Sequence, residues 1–258
     1  MSFVNRVLAS VGIGAAVVDT KLEESMFYAG EMIKGVVEIN GGKVEQHIDE
    51  INLYLMTEYI REVDDNKVKQ AHTLDSVRVA QDITIAANEQ KKIPFTMPLP
   101  YDVPLTIGKT PVWLKTGLDI KQAIDPKDED YITIKSTDIV ENVFASLEQL
   151  GLRLRKSMCV HVKRHLQNNR PFAQEFEFIP SSGPFHGDLD ELEVVFYPER
   201  DRVRLMLEVD KRGKGMLGFL EEALDVDEQK SMLTISRIEA EDQATLTQTL
   251  ENHIRRYI

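Results

Sequence analysis

Cysteine is almost absent from this chain. Cys159 stands alone among 258 residues, which excludes an intrachain disulfide and a cysteine-built metal cluster. Long apolar runs are missing as well: a transmembrane helix needs about 20 consecutive apolar residues, and no stretch reaches that. Basic charge is in deficit, with 31 Lys and Arg against 43 Asp and Glu and a net charge of -12. The pI is near 5.0. Such a chain is repelled at long range by phosphate backbones and anionic lipid, so nucleic acid is not an expected partner. Residues 1–18 lack the pattern of a secretory signal, because Asn5 and Arg6 interrupt Phe3, Val4, Val7 and Leu8, and the next basic residue is Lys21. The expectation is a cytoplasmic protein.

Catalytic signatures are missing too. There is no Gly-x-Ser-x-Gly, and Ser181-Ser182-Gly183 between Pro180 and Pro184 is turn chemistry. Lys211, Arg212, Gly213, Lys214 and Gly215 precede a helical pattern but fail the spacing of a phosphate-binding loop. Cations at a helix start could attract an anion or an acidic peptide, yet a solvated turn is the plainer reading. His161 and His165 lie four apart with Cys159 nearby, a spacing that on a helix aims two imidazoles at one metal. The segment from Leu152 to Val162 alternates like a strand, however, and no fourth ligand is close; surface histidines beside Lys163 and Arg164 are expected. Asp125, Asp128, Glu129 and Asp130 crowd what reads as a loop, and Asp188, Asp190, Glu191 and Glu193 form a second acidic group. Neither has the ligand spacing of a calcium loop, so a solvated loop and the wet face of a strand are expected. No catalytic, cofactor-binding or metal-binding residue is assigned.

What is present is apolar periodicity. The chain is 42% hydrophobic, enough for two domains or one large β-sandwich. Phe3, Val7, Leu8 and Val11 predict a short amphipathic helix over 2–11, ended by Gly12 and Gly14. With one Arg it is poorly equipped to hold anionic lipid; packing on the protein body is expected, with membrane association through residues 2–11 as the lesser alternative. From Val17 the period becomes two. Ile33, Gly35, Val37 and Ile39 share a parity, as do Ile51, Leu53 and Leu55 with Thr57 and Tyr59. Val77 with Val79 and Ile83 with Ile85 read as two short runs around Gln81-Asp82. Ile93, Phe95, Met97 and Leu99 follow, then Val112 to Ile120, then Ile132 and Ile134. Side chains two apart share a strand face, and about seven such runs without long helices between them predict an antiparallel sandwich. Pro94, Pro98 and Pro100 place the fifth run, Ile93 to Leu99, at a sheet edge.

Val140, Val143, Phe144, Leu147 and Leu150 form a helical stripe, with Ser136, Thr137 or Asp138 as cap and Gly151 as terminator. Beyond it, Phe176 and Phe178 alternate with Glu175 and Glu177, and Leu192, Val194 and Phe196 with Glu191 and Glu193. Val203 to Val209 completes a hairpin. Met216, Phe219, Leu220, Ala223 and Leu224 predict a helix, Met232 to Ile235 a strand, and Ser236 with Glu239 a capping box. That box opens one closing helix carrying Leu246, Leu250, Ile254 and Tyr257, with Arg255 and Arg256 in its last turn. The expected organisation is mainly β: a β-sandwich domain over 1–136, a connecting helix over 137–150, and a β-rich domain over 151–258 with two or three helices.

The run from Pro94-Phe95 to Leu99-Pro100 resembles arrestin-fold proteins. A more specific likeness lies in Leu8 to Ala16, Gly108-Lys109, Leu118-Asp119-Ile120, Ile139 to Leu154, Phe172 to Phe178, Leu189 to Glu193 and Gly215 to Leu224. These resemble the bacterial sporulation-control family of the stage-zero M type. The resemblance implies an arrestin-like sandwich and a modulating role in entry into sporulation, upstream of a phosphorelay. It implies no enzymatic activity and no cofactor. Protein partners are therefore expected, with a homo-oligomer compatible and the binding surface not assigned by residue. The competing expectation is a small-ligand or metal-dependent hydrolytic β-sandwich protein using the acidic loops.

Overall fold

A period of two over most of the chain dictates strands, and the computed structural model is mainly antiparallel β. It describes residues 15–64, 66–120, 127–162, 170–210 and 232–258. The expected helices over 2–11 and from Met216, with Asp125, His165 and the basic run at Lys211, fall outside those residues. The chain divides into two compact units. One comprises residues up to Thr57 with Ala71–Pro100 and Pro111–Ile134; the other comprises Glu58–Gln70, Tyr101–Thr110 and Lys135–Ile258.

In the first unit, β1 (Val17–Leu22), β3 (Met32–Asn40) and β6 (Gln90–Pro98) form a three-stranded sheet in the order β1-β3-β6. Opposite it, β4 (Gln46–Val63) pairs with β7 (Val112–Ile120), β7 with β8 (Lys127–Lys135), and β8 with the short β2 (Met26–Tyr28). β5 (Asn66–Ile85) pairs with β4. The apolar parity of each strand faces inward: Ile33, Val37, Ile39, Ile51, Leu53, Leu55, Met97 and Leu114 are buried. The layers also meet through polar groups. Thr20 Oγ1 lies 2.6 Å from Thr116 Oγ1, and the Thr20 N–H donates to Asp128 at 2.6 Å.

Two strand readings change here. The runs at Val77–Val79 and Ile83–Ile85 are not separate strands but parts of β5, with Asp82 held inside it at φ 53. Asp128, Glu129 and Asp130 are not in a loop; β8 carries them, and its even parity turns Asp128 and Asp130 toward the interior with Ile132 and Ile134. Burial, then the neighbouring Asp128 carboxylate, push the Asp130 carboxyl up to about 6. β4 contains an irregularity of its own. Its buried residues change from even (Gln46, Ile48) to odd (Ile51, Leu53, Leu55), and a strand of period two can do that only by inserting a residue. The register with β7 shifts at that point, between Ile48 and Glu50.

The second unit is built on antiparallel pairings of β9 (Leu152–His161), β10 (Phe172–Pro180), β11 (Glu191–Pro198), β12 (Arg202–Asp210) and β13 (Met232–Ser236) in sequence order. Ile60 at the end of β4 pairs in parallel with Val160. Helix α1 (Asp138–Gln149) has Thr137 at its N-cap position, without a side-chain cap bond, and ends at Gly151, φ 78. Its stripe lies on one sheet face. The Phe144 ring stands 5.3 Å from Phe176, 6.0 Å from Phe178 and 5.0 Å from Phe196. The expected closing helix is two helices, α2 (Arg237–Glu241) and α3 (Gln243–Ile254). Ser236 and Glu239 make the capping box of the first. Asp242, at φ -92 and ψ 91, breaks the run and caps the second by accepting from Thr245 N–H. Asp is a weak helix former and a strong cap, so the break falls there. Leu246, Leu250 and Ile254 are buried, whereas Tyr257 and Arg256 lie past the helix end and Arg255 is its C-cap, paired with Glu251 at 2.8 Å.

Candidate functional site

On the sheet face opposite α1, side chains from five strands line up in two rows. Register places Met158, Glu175, Val195, Met206 and Met232 side by side. The next row reads Lys156, Glu177, Glu193 and Glu208. The first row belongs to a buried apolar cluster with Val160, Val162, Ala173 and Tyr197. Glu175 stands inside it, 9% exposed, and its Oε1 has no hydrogen-bond partner among the described residues. Removal from water, then the charge of Glu193, push its carboxyl up to about 9, so it is neutral at pH 7. In the second row like charges sit directly opposite one another, an arrangement that repels. Arg155 offsets part of it by pairing with Glu177 and, at 2.7 Å, with Glu191.

This overturns the wet-face reading of Glu191 and Glu193, which are 8% and 6% exposed. The acids alternate with apolar residues along each strand, as a half-wet strand would. Met158, Val195 and Met206 occupy the same face on neighbouring strands, however, and make that face apolar enough to bury. Asp188 and Asp190, off the strand, are exposed.

A concavity of ≈ 410 Å³ opens beside the Tyr197 end of this sheet, lined by Tyr101, Asp102, Glu199, Arg200 and Arg204. Its carboxylates are committed to partners. Asp102 receives both arms of Arg170, at 3.0 and 2.9 Å, and Glu199 pairs with Arg202 and Arg204 at 2.7 and 3.0 Å. Cys159 is buried, and burial raises its thiol well above the usual range, which removes nucleophilic character. His161 lies on β9 as the alternation predicts, its ring stacked 6.1 Å from Tyr59.

The first unit offers an exposed apolar surface instead. Met26 and Tyr28 on β2 and Met32 at the start of β3 expose 49%, 50% and 46% of their surface. A tight turn joins them, with Glu31 N–H donating to Tyr28 O at 3.1 Å and Tyr28 N–H to the Glu31 carboxylate at 2.8 Å. Both outer strands of the three-stranded sheet are blunted. β6 presents Pro94 and Pro98, which have no N–H to offer an incoming strand, and on β1 the Thr20 N–H is taken by Asp128. Among the described residues, one set has its donor atoms close enough to share a cation: His47, Asp49 and Asp82. Sequence reading missed it because the residues lie on two strands and no local spacing joins them.

No helix among the described residues is long and apolar enough to cross a membrane. The sequence model of the family described as SpoOM protein matches residues 4–213. The sporulation-control protein spo0M of Bacillus subtilis (strain 168) is 40% identical over 257 residues, which cover 100% of this chain and 99% of that one. The crystal structure of Spo0M, a sporulation control protein from Bacillus subtilis, superposes with a TM-score of 0.84 at 36% identity, over 95% of this chain and 100% of that one.

Proposed function

The chain belongs to the SpoOM family, and from that premise we propose that it is a non-catalytic cytoplasmic regulator of entry into sporulation, acting on other proteins upstream of a phosphorelay. The observation that carries the contact surface is the exposed group Met26, Tyr28 and Met32. Tyr and Met are enriched where proteins meet, because they bury much area on few rotatable bonds or adapt to an uneven partner. Three such side chains flank one turn, and taken together as one patch they expose apolar surface that water solvates poorly. Side-chain docking there suits this arrestin-like sandwich better than strand addition, since β1 and β6 are blunted. The hydrolytic alternative is weaker. Asp128 is committed to the Thr20 N–H, and Glu177 and Glu191 to Arg155, so these three acids hold structure.

The test replaces Met26, Tyr28 and Met32 by Ser together in the native host. All three are exposed, so the variant is expected to keep the wild-type melting temperature. Its spore frequency is expected to match that of a strain lacking the gene. Wild-type spore frequency from this variant, at wild-type protein level, would remove the patch from the account.

A further inference from the structure

We propose that His47, Asp49 and Asp82 form a binding site for a divalent first-row transition metal of the zinc or manganese class. His47 and Asp49 are two apart on β4 and project from the same face; Asp82 reaches them from β5. His47 Nε2 lies 3.2 Å from Asp49 Oδ1 and 3.8 Å from Asp82 Oδ1, and all three donor atoms fall within 4.8 Å of one another. Ligands about 2.1 Å from a common ion stand roughly 3.0–3.5 Å apart, so the His47–Asp49 pair is already in range and the widest pair would close by at most roughly 1.3–1.8 Å.

Two backbone irregularities converge on this spot. The β4 insertion falls at Asp49, between Ile48 and Glu50, and bulges re-aim side chains. Three described non-glycine residues have positive φ: Asp64, Asp82 and Asn88. Asp64 and Asn88 lie in or beside the turns that join β4 to β5 and β5 to β6, where Asp and Asn are common in that conformation. Asp82 alone of the three lies within a strand.

The donor set decides the class of ion. One imidazole and two carboxylates neutralise a dication and leave positions for water, a mixture that suits borderline cations. Calcium prefers six to eight oxygens, and magnesium is bound mainly through carboxylates, phosphates and its own waters. The neighbouring Glu50 is already paired with Arg78 at 2.8 Å, which keeps it from competing for His47.

The test is calorimetric titration of the full chain with zinc and with manganese, and with calcium and magnesium for comparison, joined to thermal melting. Wild type is expected to take up zinc or manganese saturably, to melt higher with it, and to respond far less to calcium or magnesium. His47→Ala is expected to lose one equivalent of binding and the thermal response. Asp82→Gly separates metal from backbone: glycine accepts φ 53 without strain, so this variant is expected to match or exceed wild-type stability without metal and to lose the metal response. His186→Ala, on an exposed histidine elsewhere, is expected to bind as wild type does. The absence of saturable binding to wild type overturns the site, as does undiminished binding to both His47→Ala and Asp82→Gly. If Asp82→Gly gains stability while retaining the metal response, the conformation at 82 is structural and the site is again overturned.

Discussion

Glu175→Gln is expected to flatten the dependence of stability on pH. In the folded chain the Glu175 carboxyl is pushed up to about 9, against about 4.3 for an exposed glutamate. The folded state therefore holds this proton more tightly than the unfolded state does. Below about pH 4 both states carry it and nothing is lost. As the pH rises from about 4.3 toward 9, the unfolded chain releases the proton while the folded chain keeps it, and stability falls by up to about 1.4 kcal/mol per pH unit. Gln is neutral and nearly isosteric, so the variant lacks this slope. The stability of Glu175→Gln relative to wild type is expected to grow by roughly 3 kcal/mol between pH 6 and pH 8. Urea denaturation at both values measures it. Parallel profiles for the two proteins would mean that Glu175 is ionised and satisfied at neutral pH.

Gly151→Ala is expected to be the most damaging of the conservative substitutions considered. Gly151 has φ 78, a left-handed conformation that costs an L-residue about 1–2 kcal/mol. A Cβ there would also lie 2.2 Å from the Ser182 carbonyl oxygen and 2.5 Å from its carbon. Both are backbone atoms that cannot swing aside. Ser181 N–H donates to Gly151 O at 2.8 Å, so the two segments would separate at the end of α1. The expected loss is about 3–5 kcal/mol, seen as insoluble protein or a large fall in melting temperature. Gly187→Ala is the control: it has φ 94 but nothing within 4 Å of the added atom, and only the conformational cost of about 1–2 kcal/mol applies. Equal losses at the two positions would show that the approach to Ser182 does not matter.

Sequence made parts of this plain and hid others for a consistent reason. Gly151 ending α1, Ser236 with Glu239 capping α2, and the buried parities of β3, β4, β6 and β7 are local signals, and the structure has each of them. Signals assembled from several strands were not readable. Glu175 looks like the wet half of an alternating strand until Met158, Val195 and Met206 are set beside it by register. The Gln81-Asp82 interruption looks like a turn until Asp82 is seen to stay in β5. Asp242 looks like one more polar residue of a long helix, because the same side chain serves helix interior and cap. The proposed contact patch was the least legible, since Met26, Tyr28 and Met32 carry no pattern that separates exposed from buried.

The regulatory account rests on that patch touching another protein. A photoreactive amino acid at position 28, irradiated in the native host as sporulation begins, measures this directly, with the same substitution at the exposed Asp188 for comparison. The account predicts a discrete cross-linked product from position 28 that is missing from position 188 and lost when Met26 and Met32 are also changed to Ser. No product from position 28, or the same products from both positions, would contradict it.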